Sequence, residues 1–156
     1  MNNKFLYIAK QIVKGEEKKH IIVSCPSANE FDFKNKCFAS LVEALNTISD
    51  DCYVVNFDSK YSGESNINID TKNDITSLDI NNIEGAAEHS LVIVNAPCII
   101  GNEFLFTDNN DIDDIVLTVK YGQTNYSSLE KAIDILKDNG INLLGVVARK
   151  QKLFSK

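Results

Sequence analysis

Long apolar runs are missing from this sequence, and so is an N-terminal segment of the signal-peptide kind. No apolar run approaches the roughly 20 residues that a membrane-spanning helix requires. The first residues, MNNKFLYIAK, lack an apolar region followed by a small-residue cleavage site. We therefore expect a cytoplasmic protein without a membrane span of its own, which reaches the inner face of a membrane only through a partner.

Paired cysteines are also missing. The four cysteines form no Cys-x-x-Cys motif, so neither a zinc site nor a dithiol redox motif is predicted. They lie in or beside apolar segments, where a reduced cysteine usually behaves as a small buried hydrophobic residue. We interpret all four in that way, and no metal site is expected.

Basic residues are scarce in the middle of the chain. Between residues 50 and 114, fourteen acidic residues accompany only Lys60 and Lys72, and the formal net charge of the protein is −6. A nucleic-acid groove needs Lys and Arg clustered on one face, so nucleic acid is not an expected partner. The basic residues concentrate in residues 1–19 and 149–156. These ends could contact an anionic membrane or an acidic partner, although solvated termini are the simpler interpretation.

What is present is an alternation of short apolar runs and helical patterns, which we interpret as one domain spanning residues 1–156. The apolar runs are continuous and rich in Val and Ile, as is typical of parallel strands covered on both faces. The five predicted strands are His20–Cys25, Cys52–Phe57, Ser90–Ala96, Ile115–Lys120 and Leu143–Ala148. Strands alternating with helices predict an α/β fold with a mostly parallel central sheet.

Helical spacing of apolar residues predicts helices over about residues 4–13, 35–48 and 128–139. For the last of these, Ser127 and Glu130 have the spacing of a capping box, and Gly140 supplies a C-terminal stop. The interval from residue 59 to residue 84 is dominated by Asn, Asp, Ser and Thr. It predicts a long excursion with a short edge strand near residues 67–69.

Two segments carry a family resemblance. They are SLVIVNAPCII at residues 90–100 and IVLTVKYGQTNYSSLEKAIDILKDNGINLLGVVA at residues 115–148. They resemble the bacterial tyrosine kinases and capsular-polysaccharide regulators of the deviant P-loop ATPase group. Those proteins usually have an LVIIDTPP-like strand and a VLLVV-GKT-helix-G-NLLGVV unit. The resemblance implies a P-loop NTPase-like fold, with a Rossmann-like sheet between two layers of helices.

The phosphate loop that this resemblance implies has lost its glycines. Such a loop directs backbone N–H groups at phosphate, and it requires glycine for positive φ and for close approach of the ligand. Here the loop reads PSANEFDFKNK, and residues 16–62 contain no glycine. The resemblance places Lys34 at the phosphate-binding lysine and Phe31 and Phe33 at glycine positions. We consider the hypothesis that one of the two aromatic rings plugs the pocket.

The aspartates of the magnesium site are replaced as well. The resemblance aligns Asn56 with the first acid of an Asp-x-Asp pair, Asp58 with the second, and Asn95 with the aspartate of the magnesium-orienting strand. Mg²⁺ is usually held by only one or two protein carboxylates, so these replacements predict that Mg²⁺ and ATP binding are lost. Asn at a strand end also satisfies backbone groups, which is compatible with the same interpretation. No catalytic residue is predicted.

The resemblance further places Tyr121, Gln123 and Thr124 at the rim of this degenerate nucleotide pocket. A turn followed by a helix cap explains the same residues. Two regulatory features of the kinases are missing. One is their C-terminal tyrosine cluster, and the other is the Glu-x-x-Arg-x-x-Arg-like helix used in ring assembly.

The function implied is that of a catalytically inactive pseudo-kinase or pseudo-ATPase. It would act as an interaction or regulatory module in capsular or exopolysaccharide biosynthesis. Expected partners are a membrane polysaccharide chain-length or export protein or an active kinase homologue, and a homodimer is also compatible. Two alternatives stay open. One is a nucleotide-binding, tyrosine-kinase-like ATPase that uses Lys34, Lys36 and Asp58 in an altered phosphate loop. The other is a partitioning- or septum-site-like positioning protein.

Overall fold

A six-stranded parallel sheet forms the centre of the protein. The structure, a computed structural model, describes residues 3–14, 19–58, 61, 69–72, 78, 83–106, 114–120, 122 and 124–149. The strands are β1 (Lys19–Ser24), β2 (Cys52–Asn56), β3 (Asp70–Thr71), β4 (Leu91–Asn95), β5 (Asp114–Lys120) and β6 (Asn142–Arg149). Their order is β3-β2-β4-β1-β5-β6, and every pairing is parallel. The predicted α/β fold with a mostly parallel sheet is confirmed.

The five strands predicted from apolar runs agree with β1, β2, β4, β5 and β6 to within one residue at each end. The edge strand differs, because β3 begins at Asp70 and pairs with Val55 and Asn56 of β2. Residues 67 and 68 of the predicted edge strand lie outside the described residues. The hydroxyl of Tyr53 donates to the Asp70 carboxylate and links this short strand to the sheet.

Within the described ranges, three α-helices flank the sheet: α1 (Asn3–Ile12), α2 (Phe31–Ile48) and α3 (Tyr126–Asp138). The predicted start of α2 at residue 35 is wrong. The helix continues directly from a 3-10 turn over Ala28–Glu30, and it therefore begins at Phe31. Lys34 consequently lies in the first turn of a helix rather than in an open loop.

The predicted cap of α3 is also wrong, whereas its predicted end is confirmed. Asn125 is the N-cap, because its side-chain oxygen accepts a hydrogen bond from the Ser127 N–H at 2.8 Å. Gly140 follows the helix with φ of +68°. Beyond it, the Ile141 N–H donates to the Leu136 carbonyl at 2.9 Å, in the manner of a glycine-terminated helix.

Each face of the sheet has its own apolar core. Ile21 of β1 faces a core with Phe38 and Leu41 of α2, which α1 also joins. Ile22, the next residue, faces the opposite core with Leu136 of α3. Because successive strand residues point to opposite faces, a strand covered on both sides is apolar throughout. The result is a sheet between two layers of helices.

Parallel strands bring their carboxyl ends to one edge of the sheet. The registers pair Asn56 of β2 with Asn95 of β4, and Asn95 with Val23 of β1. The loops that follow these three neighbouring strands therefore meet at a single place. Among the described residues, no helix combines the length and the apolarity needed to cross a membrane.

Candidate functional site

The side chains of Asn56 and Asn95 meet at the carboxyl edge of the sheet. The Asn56 side chain is held by the backbone of Asp58: its Oδ1 accepts the Asp58 N–H at 3.0 Å, and its Nδ2 donates to the Asp58 carbonyl at 3.1 Å. This contact settles the orientation of the Asn56 amide, since a backbone N–H can only be bound by oxygen. Asn95 must therefore present its Nδ2 to Asn56 Oδ1, at 2.9 Å.

Asn35 of α2 completes the group of amides. Its Oδ1 accepts a second hydrogen bond from Asn95 Nδ2, at 3.0 Å. Asn35, Asn56 and Asn95 are all buried, and the Oδ1 of Asn95 has no hydrogen-bond partner among the described residues. The two asparagines predicted to replace magnesium-site aspartates are thus brought together, and they bind each other and the protein.

Lys34 points into the protein. Its Nζ donates to Asp58 Oδ2 at 2.5 Å and to the Ala96 carbonyl at 2.7 Å. The side chain of Lys34 is 0 % exposed, and Asp58 is 8 % exposed. Burial lowers the pKa of the Lys34 ammonium, while the hydrogen bond and charge of Asp58 oppose this shift. At least two of the three ammonium protons are therefore committed to internal contacts.

The loop between β1 and α2 binds one of its own side chains. The Ser27 N–H donates to Glu30 Oε2 at 3.1 Å, and the Glu30 N–H donates to the Ser27 carbonyl at 3.2 Å. Glu30 is 1 % exposed, and within the described part of the chain its Oε1 has no hydrogen-bond partner. In a phosphate loop the backbone N–H groups point at an anionic ligand. Here the Glu30 carboxylate accepts a hydrogen bond from one of the loop N–H groups, that of Ser27.

A cavity of about 280 Å³ opens beside this cluster. It is lined by Ala28, Phe31, Phe57, Asp58, Pro97, Cys98 and Asn102. Phe31 is half-buried on the cavity wall, whereas Phe33, also in α2, is buried in the apolar core that α1 joins. The two phenylalanines therefore have different positions. Phe31 borders the pocket without filling it, and Phe33 takes no part in it.

Two cysteines belong to the same region. The buried Cys25 thiol donates to the Ser27 carbonyl at 3.4 Å, and burial raises its pKa to about 12. Cys98 is half-buried and donates to the Ile100 carbonyl at 3.2 Å, and burial raises its pKa as well. For both thiols burial outweighs the nearby Lys34 charge, so neither has the lowered pKa of a reactive cysteine.

The predicted rim residues are only partly described. Tyr121 and Gln123 lie outside the described residues. The hydroxyl of Thr124 accepts the Lys120 N–H at 2.8 Å, and the Thr124 N–H donates to the Lys120 carbonyl at 2.8 Å. These two bonds close the turn after β5, so Thr124 has the structural role of a turn residue.

Lys36 does not join Lys34 at this edge. It is exposed and lines a separate cavity of about 340 Å³ with Lys4, Phe5 and other residues of α1 and α2.

Glu30 belongs to the site but was not singled out by the sequence pattern. The signal that could have found it is the Ser-x-x-Glu spacing of Ser27 and Glu30, which is that of a capping box.

The sequence matches no protein-family model and no curated protein. Among solved structures, however, the chain is similar to the BceF tyrosine kinase domain, with a TM-score of 0.55. It has the fold of a tyrosine kinase domain. The match covers 92 % of this chain and 72 % of the BceF domain at 10 % sequence identity, and so it establishes the fold alone.

The residues at the carboxyl edge do not fit a magnesium nucleotide. Asp58, which the resemblance aligns with the second acid of the Asp-x-Asp pair, is bound to Lys34. The other two positions carry neutral amides, and the loop carries Glu30 instead of a glycine cradle. In the part of the chain that the structure describes, no three His, Cys, Asp or Glu side chains converge so that they could hold a metal ion.

Proposed function

We propose that this protein is a pseudo-ATPase, a catalytically inactive protein with a kinase-type fold that acts as an interaction or regulatory module. The observation that carries this proposal is the internal ion pair of Lys34. A phosphate-loop lysine must reach the β- and γ-phosphates of the nucleotide. Lys34 instead donates to Asp58 and to the Ala96 carbonyl, with no exposed surface of its own.

The energetic cost of recovering Lys34 for phosphate supports the same conclusion. Breaking a buried ion pair by removing one partner costs about 3–5 kcal/mol. Every 1.4 kcal/mol changes a dissociation constant by a factor of ten. That cost alone therefore weakens nucleotide affinity by roughly two to three and a half orders of magnitude. The buried Glu30 carboxylate beside the loop N–H groups adds electrostatic repulsion of phosphate.

We extend the proposal to surface-polysaccharide assembly. The support is the resemblance of residues 90–148 to the capsular and exopolysaccharide kinases, together with a fold similar to that of the BceF tyrosine kinase domain. The protein would be cytoplasmic and recruited to the inner face of the membrane by a partner. That partner would be a polysaccharide chain-length or export protein or an active kinase homologue, and self-association into a homodimer is compatible with this role.

Thermal unfolding in the presence of nucleotide tests the loss of ATP binding. With 1 mM ATP or ADP, a dissociation constant near 10 μM would stabilise the fold by roughly 2.7 kcal/mol. For a domain of this size, that is a rise of roughly 5–10 °C in the unfolding midpoint. We expect no rise with either nucleotide, with or without Mg²⁺. A rise of this size that requires Mg²⁺ would overturn the proposal.

Direct binding to a purified partner tests the interaction role. Calorimetric titration with the cytoplasmic segment of a polysaccharide export protein, and separately with an active kinase domain, should give saturable binding in at least one case. Light scattering of the protein alone would reveal self-association. A dissociation constant of about 100 μM, or a binding free energy of roughly −5 kcal/mol, is the limit of detection. If neither candidate binds within that limit, the pathway assignment is wrong.

The alternative functions gain no comparable support. An altered phosphate loop would need Lys34 and Lys36 beside one ligand, yet Lys34 is internal and Lys36 lines a different cavity. A positioning protein would contact the membrane through a terminal segment, and residues 150–156 lie outside the described residues. Co-sedimentation with anionic vesicles that resists moderate salt would favour the positioning role.

A further inference from the structure

Two of the four cysteines lie opposite each other, just beyond the carboxyl ends of β1 and β4. At the end of the sheet Val23 of β1 pairs with Asn95 of β4, and the Val23 carbonyl accepts the N–H of the residue after Asn95 at 2.9 Å. This slanted bond is the pattern of a parallel pair. The same pattern recurs beyond the strands, where the Cys25 carbonyl accepts the Ile99 N–H at 2.9 Å. Cys25 is therefore the backbone neighbour of Cys98.

The separation of such neighbours suits a disulfide bond. Paired backbones lie about 4.7–4.9 Å apart, and a disulfide joins residues whose Cα atoms are roughly 4.4–6.8 Å apart. The two side chains also lie on the same side of the sheet, since both thiols are within electrostatic range of the Lys34 ammonium and of each other. A bond between Cys25 and Cys98 therefore requires rotation of the side chains rather than movement of the strands.

The present contacts of the two thiols can be exchanged. The Cys25 thiol donates to the Ser27 carbonyl at 3.4 Å, and the Cys98 thiol donates to the Ile100 carbonyl at 3.2 Å. An S–H group is only a weak donor, so little is lost when these bonds break. Access differs between the two: Cys25 is 0 % exposed, whereas Cys98 is half-buried and lines the cavity of about 280 Å³. An external reagent therefore reaches Cys98 first.

We infer that Cys25 and Cys98 form a reversible disulfide when the protein is oxidised, and that this bond locks the loops after β1 and β4 to each other. The inference goes beyond the proposed function and does not depend on it. The oxidant is a low-molecular-weight disulfide. The Cys98 thiolate attacks one of its sulfurs, which gives a mixed disulfide and one free thiol. Cys25 then loses its proton to water and attacks the Cys98 sulfur, which releases the second thiol. Two protein thiols are oxidised, and one small disulfide is reduced to two thiols.

Burial of the two thiols favours the disulfide once it has formed. A dithiol pair is easily reduced when its reduced form is stabilised, as a low thiol pKa does. Here burial raises the pKa of Cys25 to about 12 and raises that of Cys98 as well, so the reduced form gains no such stabilisation. The same scarcity of thiolate slows the first attack. The pair therefore responds to sustained oxidation rather than to a brief exposure.

The test oxidises the protein with bis(2-hydroxyethyl) disulfide, which is small and neutral enough to enter the cavity. The reaction is quenched in acid, the unfolded protein is treated with N-ethylmaleimide, and peptide mass spectrometry assigns the bonds. We expect a cross-link between Cys25 and Cys98, with Cys37 and Cys52 still alkylated as thiols, and dithiothreitol should reverse it. Persistence of Cys25 as a thiol, or a stable mixed disulfide on Cys98, would overturn the inference.

Thermal unfolding tests whether the bond locks the two loops. A cross-link between positions so far apart in the sequence restricts the unfolded chain, so the oxidised protein should unfold several degrees higher than the reduced protein. An unchanged midpoint in the fully cross-linked protein would overturn the lock.

Three variants separate the roles of the cysteines. In Cys98→Ala the buried Cys25 should stay a thiol, because the reagent reaches it only through Cys98. In Cys25→Ala the mixed disulfide on Cys98 should persist. The matched control is Cys52→Ala, at a half-buried residue that pairs with Leu91 at the amino ends of the strands, and it should form the cross-link as the wild type does. Oxidation of Cys25 in Cys98→Ala at the wild-type rate, or loss of the cross-link in Cys52→Ala, would overturn the inference.

Discussion

Asn95 donates its single side-chain amide nitrogen to the side-chain oxygens of both Asn35 and Asn56, at 3.0 Å and 2.9 Å. The contact joins helix α2 to the carboxyl ends of β4 and β2. A carboxylate at position 95 would place oxygen against both acceptors. The three asparagine side chains are therefore complementary: Asn95 supplies the donor for the side-chain oxygens of Asn35 and Asn56.

The variant Asn95→Asp should consequently be destabilised. It exchanges two hydrogen bonds for an unpaired buried charge facing two oxygens, which costs about 3–5 kcal/mol. For a domain of this size the unfolding midpoint should fall by roughly 6–20 °C. Urea unfolding at pH 7 measures the change. The control is Asn29→Asp, the same substitution at an exposed residue of the 3-10 turn, which should leave the stability nearly unchanged.

Introducing aspartate at both positions should not create nucleotide binding. The double variant Asn56→Asp/Asn95→Asp has the two carboxylates that the resemblance implies for a magnesium site, but Lys34 stays bound to Asp58 and residues 16–62 contain no glycine. We expect no Mg²⁺-dependent thermal shift with 1 mM ATP, provided that the variant retains a cooperative unfolding transition. A clear shift would mean that the carboxylates alone determine binding and that the loop can accept phosphate.

A double-mutant cycle should reveal strong coupling between Lys34 and Asp58. Lys34→Met leaves a buried carboxylate unpaired and should cost about 3–5 kcal/mol. Asp58→Leu leaves the ammonium without its charge partner and should cost a similar amount. The double variant replaces both ions with apolar groups and should be much less destabilised than the sum of the two. Additive losses in urea unfolding would show that the two side chains do not interact.

Thiol alkylation should show that Cys25 and Cys52 are protected in the native protein. Burial raises the pKa values of Cys25 and Cys52 to about 12, so at pH 8 only roughly one in 10⁴ of each is the reactive thiolate. Both should resist iodoacetamide in the native protein and react once the protein is unfolded in urea. Peptide mass spectrometry of time points gives the rates. Equal rates in native and unfolded protein at Cys25 would contradict its burial.

Acid stability should depend on Asp51. The Ser90 N–H at 2.7 Å, followed by the His89 side chain at 2.7 Å, lowers the Asp51 pKa from 3.8 to about 2. A depressed pKa contributes stability above the unfolded value of 3.8, and this contribution is lost as the pH falls through about 2. Asp51→Asn should therefore be less stable than the wild type at pH 5, and the difference should shrink toward pH 2. A difference independent of pH would exclude a role for the charge.

The strands β1, β2, β4, β5 and β6 could be predicted to within one residue, because burial on both faces requires an unbroken apolar run in the sequence. The edge strand β3 and the starts of α2 and α3 could not be predicted in this way. Near Asn125, Ser127 and Ser128, several polar side chains could cap α3, and the path of the backbone selects Asn125. At α2 the 3-10 turn over Ala28–Glu30 leads directly into the helix, which therefore begins at Phe31. The spacing of the apolar residues does not indicate this earlier start.

The sequence alone determined the α/β class, the parallel sheet and the absence of glycine from residues 16–62, because these depend on residue types and short-range spacing. It also showed that neutral amides stand at positions 56 and 95. Only the tertiary structure decided which way Lys34 points. Its two acceptors, Asp58 and Ala96, lie 24 and 62 residues away along the chain, and they come within reach only when β1, β2 and β4 end side by side. The burial of Glu30, which is 1 % exposed, also depends on this tertiary packing and cannot be read from any local pattern.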